Sequence, residues 1–400
     1  MVHGMGRIMR RAVLSALLAG TGWAAALTAA APAMAQSEAK PIPEGDIDAL
    51  IKQTGLVESK RTARQMVPGW RKPKAMLVGV DRPDRIAWLQ KAVPDVKLIA
   101  APRGRDIDWS KVPGIDQVDA AIGVNPSPAL IAAAPNLKWF QTLAAGMEKI
   151  VSEPDVAAGK FLVTNSPSRL IPKVGDDAIA MMVALMRGLD RYVRMDVAQH
   201  MAQPDFGARG WEMANRIVLV AGLGGIGTQV ARMAHGLGMK VIATRETSHD
   251  GPDYVDYVGL SDELPAMIGK ADVVIVALPL TPKTENLFDA RMFARMKRGA
   301  IFINVARGQE VVQRDLIAAL ESGQVGAAGL GPTNPEPLPD NDPLWRAPNI
   351  LITTHMGAPT QPAEGVENFR EKEWQAVREN MRRYAAGETL YSVVDVKRGY

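Results

Sequence analysis

A short apolar strand, a glycine-rich turn and a helix follow one another without interruption from residue 217 to residue 233. The apolar run Ile217–Ala221 leads into Gly222-Leu223-Gly224-Gly225-Ile226-Gly227, and helical spacing follows. Here the first glycine allows a tight turn, the second lets the backbone approach a phosphate, and the third lets helix and strand pack closely. The motif predicts a dinucleotide whose phosphates lie at the helix N-terminus. A glycine turn without a ligand, or the related turn of a methyltransferase, is the alternative.

Short apolar runs alternate with helical spacing along two long parts of the chain. The first series has predicted strands at residues 75–80, 96–100, 118–123, 137–142 and 161–164. The second has predicted strands at residues 217–221, 241–244, 273–277, 301–305, 327–330 and 350–353. Apolar strands separated by helices are typical of parallel sheets covered on both faces. The sequence therefore predicts an α/β protein with two doubly wound parallel sheets.

Composition and charge exclude several classes of function. The chain has 400 residues, 47% of them hydrophobic and 22% charged, which is typical of a globular protein of two domains. It contains no cysteine, which excludes disulfides and thiolate sites, and we predict no metal site. The net charge of +4, less the three arginines of the predicted signal, leaves +1. No Lys/Arg-rich run remains, so nucleic-acid binding is not expected.

Residues 1–35 have the features of an export signal. A basic start ends at Arg10-Arg11, an uncharged stretch follows, and Ala33-Met34-Ala35 forms a small-x-small cleavage site. A membrane anchor is the alternative, because residues 12–31 are long enough to span a bilayer. The cleavage motif favours removal of the signal, with no stable membrane association afterwards. We expect an exported, periplasmic protein.

Three polar side chains follow three successive predicted strands late in the chain. Arg307 lies in Asn304-Val305-Ala306-Arg307-Gly308, Glu336 in Glu336-Pro337-Leu338, and His355 in Thr353-Thr354-His355. In a parallel sheet these segments emerge at the carboxyl edge, which is where open α/β sheets bind ligands. A cation, a carboxylate and an imidazole are therefore expected at one edge.

These residues and their spacing resemble those of the D-isomer-specific 2-hydroxyacid dehydrogenases, in which an Arg, a Glu and a His in this order form the catalytic set. The resemblance covers nearly everything from about Lys74 to Tyr400. It includes the fragments Asn136-Leu137-Lys138-Trp139, Leu278-Pro279-Leu280-Thr281-Pro282, Pro343-Leu344-Trp345 and Asn349-Ile350.

The resemblance implies a Rossmann NAD(P)-binding domain inserted in a flavodoxin-like substrate domain. It also implies that a long helix at residues 174–194 builds a homodimer interface, although a plain core helix would fit the same pattern. We expect a signal peptide at residues 1–35 and, because prolines recur among charged residues, a linker or surface strap at 36–72. The substrate domain is expected at 73–167 and 357–400, and the dinucleotide-binding domain at 168–356.

The implied reaction is reduction of a 2-oxo acid, with hydride supplied by a reduced nicotinamide. The planar fork of Arg307 can hold the substrate carboxylate and carbonyl oxygen. His355 can donate the proton as general acid, and Glu336 can orient the imidazole and favour its charged form. The loop with Ala145 and Gly146 resembles the family's substrate loop, which binds through backbone N–H groups. Glyoxylate, hydroxypyruvate and aryl or branched pyruvates are candidate substrates.

The residue after the second strand of the nucleotide unit indicates which cofactor is bound. Arg245 stands where NAD enzymes usually carry an acid, and a guanidinium suits a 2′-phosphate. We therefore predict NADP, with NAD possible if a shift of register puts Glu246 at that place. The resemblance implies further cofactor contacts from Leu223, Gly225, Ile226, Thr244, Leu278, Pro279, Val305 and Ala306.

One departure from the family pattern favours a different class of function. The chain has Leu330-Gly331-Pro332 where the family commonly has Leu-Asp-Val, so the Asp that usually contacts the nicotinamide carboxamide is missing. The alternative hypothesis is an exported cofactor-binding sensor or interaction module with weak or no dehydrogenase activity. The intact Arg307, Glu336 and His355 argue against it, because a sensor has little need for an acid–base pair.

The signal predicts the twin-arginine route of export. Free nicotinamide cofactor is scarce outside the cytoplasm, so an exported dehydrogenase benefits from folding around its cofactor before it crosses. Changing both Arg10 and Arg11 to Lys should therefore keep the protein in the cytoplasm, measured by cell fractionation. Unimpaired export of the double variant would instead indicate secretion of the unfolded chain.

Overall fold

The computed structural model describes residues 46–80, 84–104, 106–166, 173–193, 195, 211–355 and 369–400. These described residues belong to one compact unit. The predicted signal and the expected domain joints at 167/168 and 356/357 lie outside the described residues, as does the segment that directly follows His355. The signal, its route and the joints therefore stay predictions.

The described part of the predicted linker, residues 46–72, has regular structure. It contains helix α1 (Ile47–Thr54), strand β1 (Glu58–Thr62) and helix α2 (Ala63–Met66). Strand β1 pairs antiparallel with the last strand of the chain, Thr389–Tyr391. Leu50 packs in one cluster with Tyr391. Strand β1 was not predicted, because its residues are mostly polar and exposed and show no alternation of apolar and polar side chains.

The first large sheet has five parallel strands: β2 (Ala75–Val78), β3 (Lys97–Ala100), β4 (Val118–Ile122), β5 (Trp139–Gln141) and β6 (Leu162–Thr164). Their order is β3-β2-β4-β5-β6, which is the flavodoxin-like order. All five lie within the predicted strands. Leu89 and Leu130 pack on opposite faces, in separate apolar clusters.

The second sheet has seven parallel strands: β7 (Ile217–Ala221), β8 (Lys240–Arg245), β9 (Tyr257–Leu260), β10 (Val273–Val276), β11 (Ala300–Asn304), β12 (Val325–Leu330) and β13 (Ile350–Ile352). The order β13-β12-β11-β10-β7-β8-β9 is the Rossmann order extended by one strand. Both sheets confirm the predicted fold class. Strand β9 was not predicted, because this edge strand is short and contains the exposed Tyr257 and a glycine.

Helices cover both sheets. In the first half of the chain they are α3 (Arg85–Gln90), α4 (Pro128–Ala133), α5 (Glu148–Val151), α6 (Pro154–Ala157), α7 (Lys173–Arg187) and α8 (Leu189–Tyr192). In the second half they are α9 (Gly225–Gly236), α10 (Leu264–Met267), α11 (Ala290–Arg295), α12 (Gln313–Glu321) and α13 (Phe369–Ala386). Among the described residues, no helix has the length and apolarity needed to cross a membrane.

The prediction of one continuous helix over residues 174–194 was wrong. Helix α7 ends at Arg187, and Gly188 takes a left-handed conformation with φ of +68° before α8 begins. Glycine adopts this conformation without the steric cost that other residues carry. Beyond this break Leu189 and Val193 are 47% and 87% exposed, so they lie outside the buried face that Met182 and Met186 share.

The C-terminal helix α13 packs on the five-stranded sheet. Trp374 and Tyr384 lie in the same apolar cluster as Met76 and Trp139. The rings of Tyr384 and Trp139 stack with centroids 4.5 Å apart. Such a pair contributes roughly 0.5–1.5 kcal/mol beyond area burial. The end of the chain therefore covers the sheet that carries the predicted substrate loop.

Candidate active site

The glycine-rich turn has the local geometry that its sequence predicts. Gly222 has a φ of +98°, and a Cβ there would lie 2.7 Å from the carbonyl oxygen of Ala277. A Cβ on Gly227 would overlap the carbonyl oxygen of Gly222, so helix α9 can approach β7 only because position 227 is glycine. Gly224, by contrast, faces open space, with no described atom within 4 Å of a Cβ built on it. That open space is what a backbone approaching a pyrophosphate needs.

The turn is tied to the next strand through Thr244. The backbone N–H of Gly222 donates to Thr244 Oγ1 at 3.1 Å, and that of Leu223 donates to the Thr244 carbonyl oxygen at 2.8 Å. Helix α9 then begins at Gly225, with Ile226 in its first turn. The unpaired N–H groups at this start and the helix dipole favour an anion. The predicted residues of the turn therefore form a fitting cradle for a dinucleotide.

Arg245 is the last residue of β8, and its Nε is buried without a hydrogen-bond partner among the described residues. A buried unpartnered donor is costly, and an incoming acceptor such as a phosphate oxygen would satisfy it. Glu246 lies beyond the strand, where its carboxylate is 3.7 Å from the ammonium group of Lys283. The register therefore places the guanidinium, and not the carboxylate, at the end of the strand.

The remaining predicted cofactor residues follow neighbouring strands of the same sheet. Leu278 and Pro279 follow β10 after one intervening residue, and Val305 and Ala306 come directly after β11. Because β7, β10 and β11 are adjacent and parallel, these segments emerge beside the glycine-rich turn. The structure thus brings the predicted set to one edge, and the role of each residue stays a prediction.

Asn304, at the end of β11, shapes the segment that carries Arg307. Its buried side chain donates from Nδ2 to the Arg307 carbonyl oxygen at 2.7 Å and accepts from the Ala306 N–H at 2.9 Å. The Arg307 guanidinium is held by two contacts: Nε donates to Glu148 Oε1 at 2.8 Å, and Nη1 donates to the Ala306 carbonyl oxygen at 2.8 Å. Nη2 makes no hydrogen bond within the described part of the chain, so it can bind a ligand.

The predicted substrate loop lies directly against this guanidinium. A Cβ on Gly146 would overlap Arg307 Nη2 and would lie 2.8 Å from Glu148 Oε2. The carbonyl oxygen of Ala145 accepts from Asn165 Nδ2 at 3.2 Å, which fixes the loop. Neither Ala145 nor Gly146 donates its N–H to another described residue. The loop therefore leaves N–H groups without a described acceptor beside a free guanidinium nitrogen, and such donors can bind a carboxylate.

Glu148 was not predicted as a site residue. It begins helix α5 in the half of the molecule built on the five-stranded sheet, and it reaches Arg307 of the other half. Partial burial opposes its ionisation, but the hydrogen bond and charge of Arg307 outweigh this effect, so the pKa of Glu148 is lowered. Glu148 is therefore charged at neutral pH. Its position two residues after Gly146 was the only signal in the sequence.

Glu336 and His355 form a close pair. Nδ1 of His355 lies 2.6 Å from Glu336 Oε2, and both side chains are partly exposed. Gln313 Oε1 accepts from the N–H of Asn334 at 2.7 Å, which anchors the loop that leads to Glu336. A carboxylate at this distance fixes the ring and leaves Nε2 as the nitrogen that can exchange a proton with a substrate.

The loops that carry Arg307 and Glu336 are in close contact. Gly308 lies against the carbonyl group of Thr333, and a Cβ at position 308 would overlap it. Strands β11, β12 and β13 are adjacent and parallel, so Arg307, Glu336 and His355 follow three neighbouring strands at one edge. The predicted edge thus exists, while the catalytic roles stay predictions.

Gly331 leaves open space at the end of β12. Its N–H donates to the Asn304 carbonyl oxygen at 2.9 Å, and the nearest atom to a Cβ built on it is 3.7 Å away. A side chain could therefore be accommodated there. The glycine in place of the family's Asp removes one polar side chain at this position. It does not change the backbone hydrogen bonds, because the N–H of Gly331 still donates to the neighbouring strand.

Glu310 is a second acid that the sequence did not single out. It is fully buried three residues after Arg307, and neither carboxyl oxygen has a hydrogen-bond partner among the described residues. Burial raises the pKa of Glu310 to about 8, an effect that the backbone and the charge of Arg307 oppose and that the charge of Glu148 increases. At neutral pH Glu310 is therefore mainly uncharged.

Comparison with known proteins identifies the relatives of this chain. Residues 179–357 match the family model described as the NAD binding domain of D-isomer specific 2-hydroxyacid dehydrogenases. A glyoxylate reductase of Korarchaeum cryptofilum is 30% identical over 317 residues, which cover 77% of this chain and 88% of that protein.

Solved structures of similar proteins carry nicotinamide cofactors. A D-isomer specific 2-hydroxyacid dehydrogenase of Xanthobacter autotrophicus in complex with NADPH and MES superimposes with a TM-score of 0.67 at 28% identity, covering 82% of this chain and 100% of that one. An NADPH-dependent glyoxylate/hydroxypyruvate reductase of Sinorhizobium meliloti in complex with NADP and sulfate has a TM-score of 0.64 at 25% identity, with the same coverage.

Glu310 should make stability depend on pH. The unfolded state ionises this carboxyl near its ordinary pKa of 4.5, whereas the folded state keeps its proton until about pH 8. As the pH rises from 4.5 to about 8, the native protein therefore loses stability. Above about pH 8 this group causes no further loss of stability. Glu310→Gln should have a higher free energy of unfolding than the wild type at pH 8, by a few kcal/mol at most, since one pKa unit corresponds to about 1.4 kcal/mol.

The measurement is denaturant unfolding followed by tryptophan fluorescence, at several pH values from 4.5 to 8. The advantage of the variant should shrink towards the acid end. A difference between variant and wild type that does not change with pH would contradict the assignment of Glu310 as a buried, protonated acid.

Proposed function

The chain belongs to the family of D-isomer specific 2-hydroxyacid dehydrogenases, and from this we propose that it reduces a small 2-oxo acid with NADPH and oxidises the D-2-hydroxy acid in reverse. It is an NAD(P)-dependent oxidoreductase. The observation that supports the proposed chemistry best is the 2.6 Å pairing of His355 with Glu336 at the sheet edge that also presents Arg307.

Arg307 binds the substrate in this proposal. Its Nη2 and the N–H groups of Ala145 and Gly146 hold the carboxylate, because all three are donors without a described partner at one place. The contacts of Nε and Nη1 fix the plane of the guanidinium before the substrate arrives. A donor that is already oriented loses less conformational freedom on binding.

His355 acts as the general acid. The bound reduced nicotinamide supplies the hydride to the carbonyl carbon. Glu336 holds Nδ1 of the ring, so Nε2 donates the proton to the oxygen on which negative charge develops. Glu336 also stabilises the positive charge of the ring before the proton leaves. In the reverse direction His355 removes the proton of the hydroxyl group.

The proposal of NADP rests on Arg245. Its buried and unpartnered Nε, at the end of β8, fits a 2′-phosphate, and the open face of Gly224 fits the pyrophosphate. Related structures with NADPH or NADP support the same choice. The names of two relatives support glyoxylate or hydroxypyruvate as substrates.

A sensor without enzymatic activity is less well supported. It would explain the glycine at position 331, but it gives no reason for the ordered His355–Glu336 pair or for the donors around Arg307. Export to the periplasm and assembly as a homodimer complete the proposal. They rest on the signal-like sequence of residues 1–35 and on the family resemblance.

Replacing Arg245 with Asp should weaken NADPH binding by about 1.5–3 kcal/mol, because a charged hydrogen bond is lost and a like charge is introduced. NADH binding should change little, since NADH has no 2′-phosphate. The measurement is titration of each nucleotide by fluorescence. Arg314→Asp, which reverses an exposed arginine, is the control. Equal affinities of the Arg245 variant and the wild type for both nucleotides would remove this residue from the cofactor site.

His355→Gln should abolish reduction while leaving NADPH affinity largely intact. Glu336→Gln should lower the rate of reduction at saturating NADPH, because the ring loses the carboxylate that holds Nδ1 and fixes its orientation. Glu285→Gln, at an exposed acid outside the site, is the matched control. A rate of reduction that is the same in Glu336→Gln and wild type would show that Glu336 does not assist His355.

A further inference from the structure

One ion pair connects the two halves of the molecule at the proposed carboxylate site. Glu148 lies on helix α5, which follows β5 of the five-stranded sheet, and Arg307 follows β11 of the seven-stranded sheet. Their hydrogen bond is 2.8 Å long, and both side chains are more than two-thirds buried. At such a place solvent screens charge only in part, so each charge affects the binding of ions nearby.

The carboxylate of Glu148 faces the same loop as the free nitrogen of Arg307. A Cβ built on Gly146 would be close to both Arg307 Nη2 and Glu148 Oε2. A ligand held by Nη2 and by the loop N–H groups therefore lies close to a fixed negative charge. Glu148 takes no hydrogen bond from the loop residues Ala145 and Gly146 themselves, so their donors remain for the ligand.

The charges around Arg307 nearly cancel without a ligand. Glu148 is ionised and offsets the guanidinium, whereas the buried Glu310 is uncharged at neutral pH. Glu336 and His355 pair with each other. Lys149, next to Glu148, is exposed, and its charge lowers the pKa of Glu148 less than the contact with Arg307 does. One carboxylate of a ligand can be matched by hydrogen bonds to Nη2 and the loop, whereas a second negative charge close to Glu148 meets a like charge.

We propose that Glu148 is a specificity-determining residue, which restricts the Arg307 site to 2-oxo acids with a single carboxylate and disfavours dianions. This inference rests on the proposed function of Arg307 as the substrate anchor. Its physical basis is repulsion: a second carboxylate close to Glu148 meets a like charge in a partly desolvated place, and discrimination by such repulsion is a common source of specificity.

Oxamate and oxalate test the proposal because they have nearly the same shape and differ by one negative charge at pH 7. Their dissociation constants are measured by calorimetry on the protein saturated with NADPH, for the wild type, Glu148→Gln and Glu148→Asp. Lys149→Gln is the control, since it changes an exposed charge on the adjacent residue. The deciding quantity is the dissociation constant of oxalate divided by that of oxamate. A variant that weakens the binding of both ligands equally leaves this ratio unchanged.

The wild type should bind oxamate more tightly than oxalate, and Glu148→Gln should lower the ratio by about tenfold, which corresponds to about 1.4 kcal/mol. Glu148→Asp keeps the charge and should keep the ratio, even where both affinities fall. Lys149→Gln should resemble the wild type. Equal weakening of both ligands in Glu148→Gln would show that Glu148 only holds Arg307 in place, and it would overturn the proposal.

The same experiment separates this inference from the proposed function. Oxidation of NADPH with glyoxylate is measured on the wild type in parallel. Absence of turnover together with the expected change of ratio would count against the proposed reaction alone. Turnover with an unchanged ratio would count against the role of Glu148 alone. Failure of the wild type and of both Glu148 variants to bind either ligand would overturn the proposal, because it requires Arg307 to anchor a carboxylate.

Discussion

The parallel register of β11, β12 and β13 is the constraint on which the rest of the site depends. Asn304 lies beside Leu330, and Leu330 beside Ile352, so the three strands end at nearly the same height. Three side chains that are far apart in sequence therefore follow one another along a single edge. Backbone hydrogen bonds buried between apolar layers hold this register, and a polar site can be built at the strand ends without a cost to the core.

The ionisation states of the two acids near Arg307 determine the charge of the site. Arg307 is held by one carboxylate from the other half of the molecule, while a second acid nearby, Glu310, is buried deeply enough to keep its proton. Glu148 is ionised because it is hydrogen-bonded to the guanidinium of Arg307. Glu310 keeps its proton because it is buried without such a bond. The guanidinium is thereby fixed in place while one of its nitrogens stays available.

The local sequence was sufficient to predict the structure wherever that structure depends only on residues close together in the chain. The strand, turn and helix around Gly222 and Gly227 have the predicted form, because the steric demands on those glycines arise from atoms close by. Local pattern failed at β9, which is only four residues long and contains a glycine, and at Gly188, which breaks a helix although apolar residues continue beyond it.

Sequence alone determined the α/β class, the two doubly wound sheets, the nucleotide turn and the order of Arg307, Glu336 and His355 along the chain. These follow from the periodicity of apolar residues and from motifs in which all partners are near in sequence. Only the tertiary structure decided that Glu148 pairs with Arg307, that Glu310 is buried without a partner, and that residues 46–72 join the fold through β1. These contacts join residues that are distant in sequence or depend on burial, and neither long-range proximity nor burial of a charged residue leaves a periodic signal in the chain.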